Sequence, residues 1–174
     1  MSGKIILAIA SVDFQPIEYS IPKKVLIENG FEVITVSDKS GNAYATDESL
    51  VLVDKKLDEI DIKEYDGIFL IGGPGAPEHL DNPKMRSLLV EAKERGIPYG
   101  AICISPRILA KAGVLQGKKA TGWDNDRELK DLFFAHGVDY VQNEVVVDGN
   151  IVTASGPRVA KEFGEAIVQV FQKK

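Results

Sequence analysis

The stretch Tyr99-Gly100-Ala101-Ile102-Cys103-Ile104-Ser105-Pro106 carries the chain's one cysteine where an apolar run should end and a helix begin. Pro106 suits a first helical position, since its fixed φ fits and its missing N–H is not needed there. Cys103 then sits on the sharp turn before the helix, beside unpaired backbone N–H groups and the positive end of a helix dipole. Both stabilise a thiolate, the form of cysteine that attacks a carbonyl carbon. Small Gly100 and Ala101 let a neighbouring backbone approach. The alternative is a small buried hydrophobe, as free cysteines often are.

Two more groups bear on that chemistry. Gly72-Gly73-Pro74-Gly75 follows directly on the apolar run Gly67 to Ile71. It is neither a Walker loop nor a dinucleotide fingerprint, because no Gly-Lys-Ser/Thr and no G-x-G-x-x-G follow. Backbone N–H groups of Gly72 and Gly73 form an oxyanion hole if the neighbouring loop tip is Cys103; otherwise the glycines mark a tight turn. Glu18 lies in the loop after the first apolar run, and Pro22 predicts that it sits on a turn or a kinked first helical turn. A protonated carboxyl beside a thiolate donates a hydrogen bond to it, whereas an ionised one raises the thiol's pKa. Taken alone, Glu18 reads as a solvated surface acid.

The elements that must position these residues alternate in type. Lys4–Ala10, Phe31–Val36, Gly67–Ile71 and Pro98–Ile102 are apolar runs of strand length, the pattern of parallel strands covered on both faces. Helical patterns lie between them at Ile21–Asn29, ending at Gly30, and at Asn82–Arg95, which opens with Asn-Pro and ends at Gly96. Lys118–Thr121 then reads as a strand and Asp126–His136 as an amphipathic helix. Asn143–Ala154 reads as a hairpin turning at Asp148-Gly149, and Pro157–Val170 as a closing helix. Alternating β and α units predict a three-layer α/β domain with its site at the carboxyl ends of the strands.

Composition narrows the function class. The chain has 174 residues, with 21 Lys plus Arg against 26 Asp plus Glu, and 44% hydrophobic residues. A length not far above roughly 150 favours one domain, here 1–174, and the composition excludes a disordered or collagen-like chain. The apolar run at Ile5–Ala10 is too short for a signal peptide or a membrane span, so a cytoplasmic protein with no membrane partner is expected. One cysteine and two histidines cannot complete the usual zinc ligand set, and no metal is expected. A mildly acidic chain without Lys/Arg clusters is not expected to bind nucleic acid.

In their order and spacing these fragments resemble the ThiJ/PfpI superfamily, also called the DJ-one family, of the class I glutamine-amidotransferase-like fold. The resemblance rests on Glu18 with Pro22, Gly72-Gly73, Ala101-Ile102-Cys103 with Pro106, and Ala112-Gly113-Val114-Leu115. Val147-Asp148-Gly149-Asn150 leading to Ser155-Gly156-Pro157 completes it. It implies a flavodoxin-like α/β/α sandwich with a central mostly parallel sheet, and a homodimer. It also implies Cys103 as nucleophile, Glu18 as its acidic partner, and the N–H groups of Gly72, Gly73 and Ile104 as oxyanion donors. No cofactor is implied. A flavodoxin-like FMN carrier would need a Ser/Thr-rich phosphate loop where this chain has Ser11-Val12-Asp13-Phe14.

The chain departs from the family at one position. Members with peptidase or glyoxalase activity commonly carry A-I-C-H-G-P, and here Ile104 and Ser105 follow the cysteine. A histidine from the loop after the next strand can substitute, but Trp123 stands there, as an apolar wall over the thiol or as ordinary core. His79, just past the Gly-rich turn, is a candidate pocket residue, and His136 a helix C-terminal one. Arg158, after Gly156-Pro157, is a candidate anion-binding residue or a solvated one. Without an imidazole, cleavage of a peptide bond is the least expected of the family's activities. Glyoxalase III or deglycase action on a small-molecule aldehyde or glycated adduct is the reading that one carboxyl can serve, and a redox sensor or chaperone using Cys103 oxidation is the alternative.

Overall fold

The computed structural model describes residues 3–173 of the chain. The first half runs through β1 (Lys4–Ala8), β2 (Val12–Phe14), α1 (Pro16–Glu28), β3 (Glu32–Ser37), β4 (Asn42–Ala45), β5 (Leu50–Leu52), β6 (Lys55–Lys56) and β7 (Gly67–Leu70). The second half continues with α2 (Ala76–His79), α3 (Pro83–Glu94), β8 (Tyr99–Ile102), α4 (Pro106–Lys111), β9 (Lys119–Ala120), α5 (Leu129–Ala135) and β10 (Asp139–Tyr140). The hairpin β11 (Val145–Asp148) and β12 (Ile151–Ala154) then leads to α6 (Ala160–Gln172).

Seven strands form the central sheet in the order β11-β12-β8-β7-β1-β3-β6. All neighbours are parallel except β11, which returns antiparallel along β12. Strand geometry sends alternate side chains to opposite faces. Ile6 and Ala8 therefore join Ile68, Leu70 and Tyr99 under α3, α4 and α5, while Ile5 and Leu7 join Phe69, Val152 and Phe163 under α1 and α6. The result is the expected α/β/α sandwich of flavodoxin type. Two small sheets flank it, β2-β4-β5 and β10-β9. β4 buries only Ala43 and Ala45, and β5 is a three-residue run, so neither is long or apolar enough to stand out in the sequence.

The first helix begins earlier than its sequence suggests. α1 starts at Pro16, runs through Pro22 without a break, and is capped by Gln15, whose Oε1 accepts from Ile17 N–H at 2.7 Å. Pro22 cannot donate to the carbonyl of Glu18, a loss worth about 3 kcal/mol in an exposed helix. Here Tyr19, Pro22 and Leu26 are buried, Tyr19 against Phe14 with its hydroxyl on Thr35 of β3 and Pro22 against Gly164 of α6, and that packing holds the helix together. Glu18 thus stands in the first turn of a regular helix, not on a kink.

The remaining boundaries differ by small shifts. α5 starts at Leu129 rather than Asp126, because Asp124 accepts from Leu129 N–H at 2.9 Å and Asp126 is engaged by Arg107. The closing helix is preceded by a 3-10 turn at Pro157–Val159. In the hairpin Asp148 pairs with Ile151, so Gly149-Asn150 is the two-residue loop, with Gly149 at φ 63°.

Candidate active site

Three chain segments meet at the carboxyl rim of the central sheet. Cys103 follows β8, Gly72 and Gly73 follow β7, and Glu18 comes from α1 after β1 and β2. β7 and β8 are adjacent parallel strands, so their two loop tips are brought side by side.

The backbone at Cys103 is bent into the left-handed region, with φ 65°. A side chain there costs about 1–2 kcal/mol, and such strain persists only where neighbours fix it. Here Cys103 N–H donates to the Ala154 carbonyl at 2.9 Å, and the Cys103 carbonyl accepts from Trp123 N–H at 2.7 Å. Ser105, fully buried, donates its hydroxyl to the Ile71 carbonyl at 2.7 Å and so ties the elbow to the residue before Gly72. α4 beyond the elbow is only six residues long, so its dipole contributes little.

Glu18 is fully buried. Its Oε2 accepts from Gly72 N–H at 2.9 Å, and its Oε1 has no hydrogen-bond partner among the described residues. The Cys103 thiol is the carboxyl's other polar neighbour. Burial raises Glu18 from its ordinary 4.5 to about 7, against the lowering contacts with Cys103 and Gly72 N–H. Burial also raises the Cys103 thiol, to about 12, helped by the Glu18 charge and opposed by Ile104 and Gly73 N–H groups. The two groups titrate as a pair, giving up one proton near 7 and holding the second to about 12.

Gly72 is dictated by this meeting. A Cβ there would lie 2.6 Å from Cys103 Cβ, 2.6 Å from Glu18 Oε2 and 2.9 Å from the Ile102 carbonyl. Its N–H, expected to face a substrate oxygen, is instead spent on Glu18, which removes Gly72 from the set of available oxyanion donors. The N–H groups that approach the sulfur are those of Gly73 and Ile104.

A pocket of about 390 Å³ opens above the thiol, lined by Gln15, Thr46, Gly73, Ile104, Trp123 and Pro157 together with Glu18 and Cys103. Trp123 forms one wall, and Arg107 fixes it. The Arg107 guanidinium lies 5.5 Å from the indole centroid, donates to the Trp123 carbonyl at 3.1 Å, and grips Asp126 with two hydrogen bonds of 2.7 and 2.9 Å. Gln15 and Thr46 were not singled out by sequence. Gln15 carried one signal, its place as cap before a Pro-initiated helix, and Thr46 carried none.

The other candidates lie elsewhere. His79 Nδ1 is 2.8 Å from Asp38 Oδ2 and 3.4 Å from Ser11 Oγ, a clasp on the outer side of the Gly-rich turn. Arg158 is exposed and paired with Glu144 on the rim of an adjoining cavity. His136 caps α5. Among the described residues no group of three or more Cys, His, Asp or Glu side chains is arranged to hold a metal, and no helix is long and apolar enough to cross a membrane.

Residues 3–170 match the family model described as the DJ-1/PfpI family. The chain is 36% identical to deglycase PfpI of Pyrococcus furiosus over 153 residues, covering 87% of this chain and 90% of that protein. Among solved structures, a ThiJ/PfpI domain protein from Brachyspira murdochii superposes with a TM-score of 0.91 at 26% identity, covering 98% of this chain and 97% of that one. The oxidised DJ-1 of Toxoplasma gondii superposes with a TM-score of 0.86 at 30% identity, covering 97% and 90%.

Proposed function

The chain belongs to the DJ-1/PfpI family, and from that premise we propose a cysteine-dependent enzyme acting on small reactive aldehydes or their adducts, of the glyoxalase III or deglycase kind. The observation that carries the reading is the fully buried Glu18 carboxyl beside the Cys103 thiol, at the floor of a pocket whose lining includes neither histidine. Above the pair's first ionisation one proton is shared between sulfur and carboxyl. With the proton on Glu18 the carboxyl can donate to the sulfur, Oε2 keeps Gly72 N–H, and the thiolate keeps Gly73 and Ile104 N–H. With the proton on sulfur, Oε1 is a buried charged oxygen without a partner, which is costly. The carboxylic acid beside the thiolate is the form of this proton-sharing pair that attacks a carbonyl.

The chemistry then follows from the groups in place. Cys103 sulfur adds to the aldehyde carbon, the carbonyl π pair moves to oxygen, and Gly73 and Ile104 N–H groups hold that oxygen until Glu18 protonates it. For methylglyoxal, the Glu18 carboxylate next takes the carbon-bound proton of the hemithioacetal to give an enediol and delivers a proton to the adjacent carbon, while the hydroxyl proton passes to the former ketone oxygen, leaving a lactyl thioester that water cleaves to lactate and the free Cys103 thiol. One carboxyl is enough for these transfers. Cleavage of a peptide would also require expelling an amine from an unactivated amide, and the pocket lining holds no imidazole to assist it. The deglycase name of the P. furiosus relative supports the same substrate class. A homodimer belongs to this reading, and light scattering on the purified protein checks it.

The test is lactate formation from methylglyoxal by the purified protein, with release of the carrier from thiol and amine adducts followed in parallel. Cys103→Ser should abolish turnover and Glu18→Gln should lower it by about 10²–10⁴, the usual range for a lost acid–base group. An absence of Cys103-dependent turnover on every small aldehyde and adduct would sink the proposal. A second reading, Cys103 as an oxidation sensor, draws support from the same pair, because a protonated Glu18 can donate to a sulfinate, and from the oxidised state of the T. gondii relative. Stoichiometric peroxide should then give one defined oxidised species at Cys103 by mass spectrometry.

A further inference from the structure

The pocket above Cys103 discriminates by what it lacks. Its volume of about 390 Å³ suits a ligand larger than a triose. Trp123, Ile104, Pro74 and Pro157 make its apolar wall, and its uncharged polar side chains are Gln15 and Thr46. Among the described residues no lysine, arginine or histidine lines it. Arg107, 5.5 Å from the indole centroid, stays outside the lining and is committed to the Asp126 carboxylate and the Trp123 carbonyl. Above their first ionisation Glu18 and Cys103 hold one negative charge between them at the pocket floor. A carboxylate or phosphate on the substrate would meet that charge in an apolar chamber with no cation to offset either, which is strongly unfavourable. An uncharged apolar substituent is treated in the opposite way. It leaves water for the indole face, Ile104 and the two prolines. The indole is a fixed surface for it, because Arg107 stacks on the ring and holds the backbone of the same residue.

We propose that Trp123 makes the Cys103 site selective for uncharged α-oxoaldehydes that bear an aryl or branched alkyl group, with methylglyoxal as a small member of that class. This rests on the aldehyde reading of the site and names its substrate class. The chemistry is that already given for methylglyoxal. With phenylglyoxal, sulfur adds to the aldehyde carbon, Glu18 removes the hydrogen from that carbon and delivers a proton to the former ketone carbon, and the ketone oxygen becomes a hydroxyl. Water then cleaves the thioester to mandelate and the free Cys103 thiol. The phenyl ring lies on Trp123 and takes no part in bond making. Selectivity of this kind needs both halves of the device, an attractive wall for the ring and an unfavourable field for a charge.

The experiment measures kcat/KM for phenylglyoxal and for methylglyoxal in wild type and in Trp123→Ala. The variant should lower the ratio of the two values about tenfold, the size of effect that a lost apolar contact has on discrimination. Comparing ratios cancels the intrinsic reactivities of the two aldehydes. An unchanged ratio overturns the proposal. A binding arm uses the Cys103→Ser protein, which forms no hemithioacetal, above the ionisation of Glu18. Its probes are the neutral diketone acetylbenzoyl and benzoylformate, in which a carboxylate replaces the acetyl group at nearly the same size. Trp123 is the chain's single tryptophan, so its emission reports the wall directly, with calorimetry as the second readout. The diketone should bind about 100-fold more tightly than benzoylformate, as expected where like charges would otherwise be brought together. That result supports the selectivity of the pocket even where no aldehyde is turned over, an outcome that sinks the aldehyde reading alone. Equal binding of the two probes, or no heat and no emission change with the diketone, overturns the proposal.

Discussion

The hydroxyl of Ser105 donates to the carbonyl of Ile71 at 2.7 Å, both groups buried, and this bond joins the cysteine elbow to the turn that begins at Gly72. The side chain thus serves the site without touching a substrate. Ser105→Ala leaves the Ile71 carbonyl without that partner in a dry interior, and should cost about 1–3 kcal/mol of stability in urea unfolding. The same variant should change the alkylation rate of Cys103, because the thiol is no longer held in register with Gly73 N–H. A purely structural hydroxyl would alter the unfolding midpoint and leave the alkylation rate alone.

Glu18 links the site to pH. Its carboxyl rises from an ordinary 4.5 to about 7 on folding, so the folded state holds a proton that the unfolded chain has released. The stability belonging to the neutral carboxyl is complete below about 4.5 and lost as pH rises through about 7, an effect on the order of 3 kcal/mol. Wild type should therefore lose stability relative to Glu18→Gln between those limits, as measured by denaturant midpoints across pH. The pair's first proton leaves in the same interval, so kcat/KM for an aldehyde should rise to an inflection near 7 that is absent in Glu18→Gln.

Gly72→Ala tests the close meeting of the two functional side chains. The new methyl would fall 2.6 Å from both Cys103 Cβ and Glu18 Oε2, and the Ile102 carbonyl at 2.9 Å leaves it no escape. Displacement of either side chain follows. The expected result is about 1–3 kcal/mol of destabilisation, as in other overpacked cores, with a loss of about 100-fold in turnover. A variant that keeps wild-type turnover would mean that the pair's geometry is slack.

The left-handed backbone at Cys103 holds strain that glycine would not feel. With φ at 65°, Cys103→Gly should be more stable than Cys103→Ala by about 1 kcal/mol, the reverse of the order found in an ordinary helix or strand. Paired thermal unfolding of the two variants measures it. Equal stabilities would place the elbow's tension elsewhere.

How far this site could be read from sequence depends on the distance over which its signals act. The apolar runs and the Pro106 signal fixed the elbow at Cys103, because they are local patterns. Glu18 was recognisable only through the family resemblance. Read by itself it suggested a surface acid, whereas it is fully buried, and Pro22 suggested a kink that packing on α6 suppresses. The donation of Gly72 N–H to Glu18 spans 54 residues and leaves no trace in either segment's composition. The grip of Arg107 on Asp126 and Trp123 is likewise a tertiary fact. Arg158 stands out in the sequence as a candidate anion-binding residue, but the cation that braces the indole is Arg107.

The two ends of the central sheet have a bearing on how this chain behaves among its own copies. At one end β6 is two residues long and both are lysines, so an approaching strand meets two ammonium groups and almost no free ladder. At the other end β11 is shielded by the small β10-β9 sheet, where Lys119 N–H donates to the Asp148 carboxylate at 2.9 Å. Charge at one margin and the small sheet beside the other both discourage strand exchange, the route by which exposed sheet edges feed fibrils. Copies of this chain that meet at high concentration are steered toward side-chain surfaces rather than toward lengthening the central sheet from one molecule into the next.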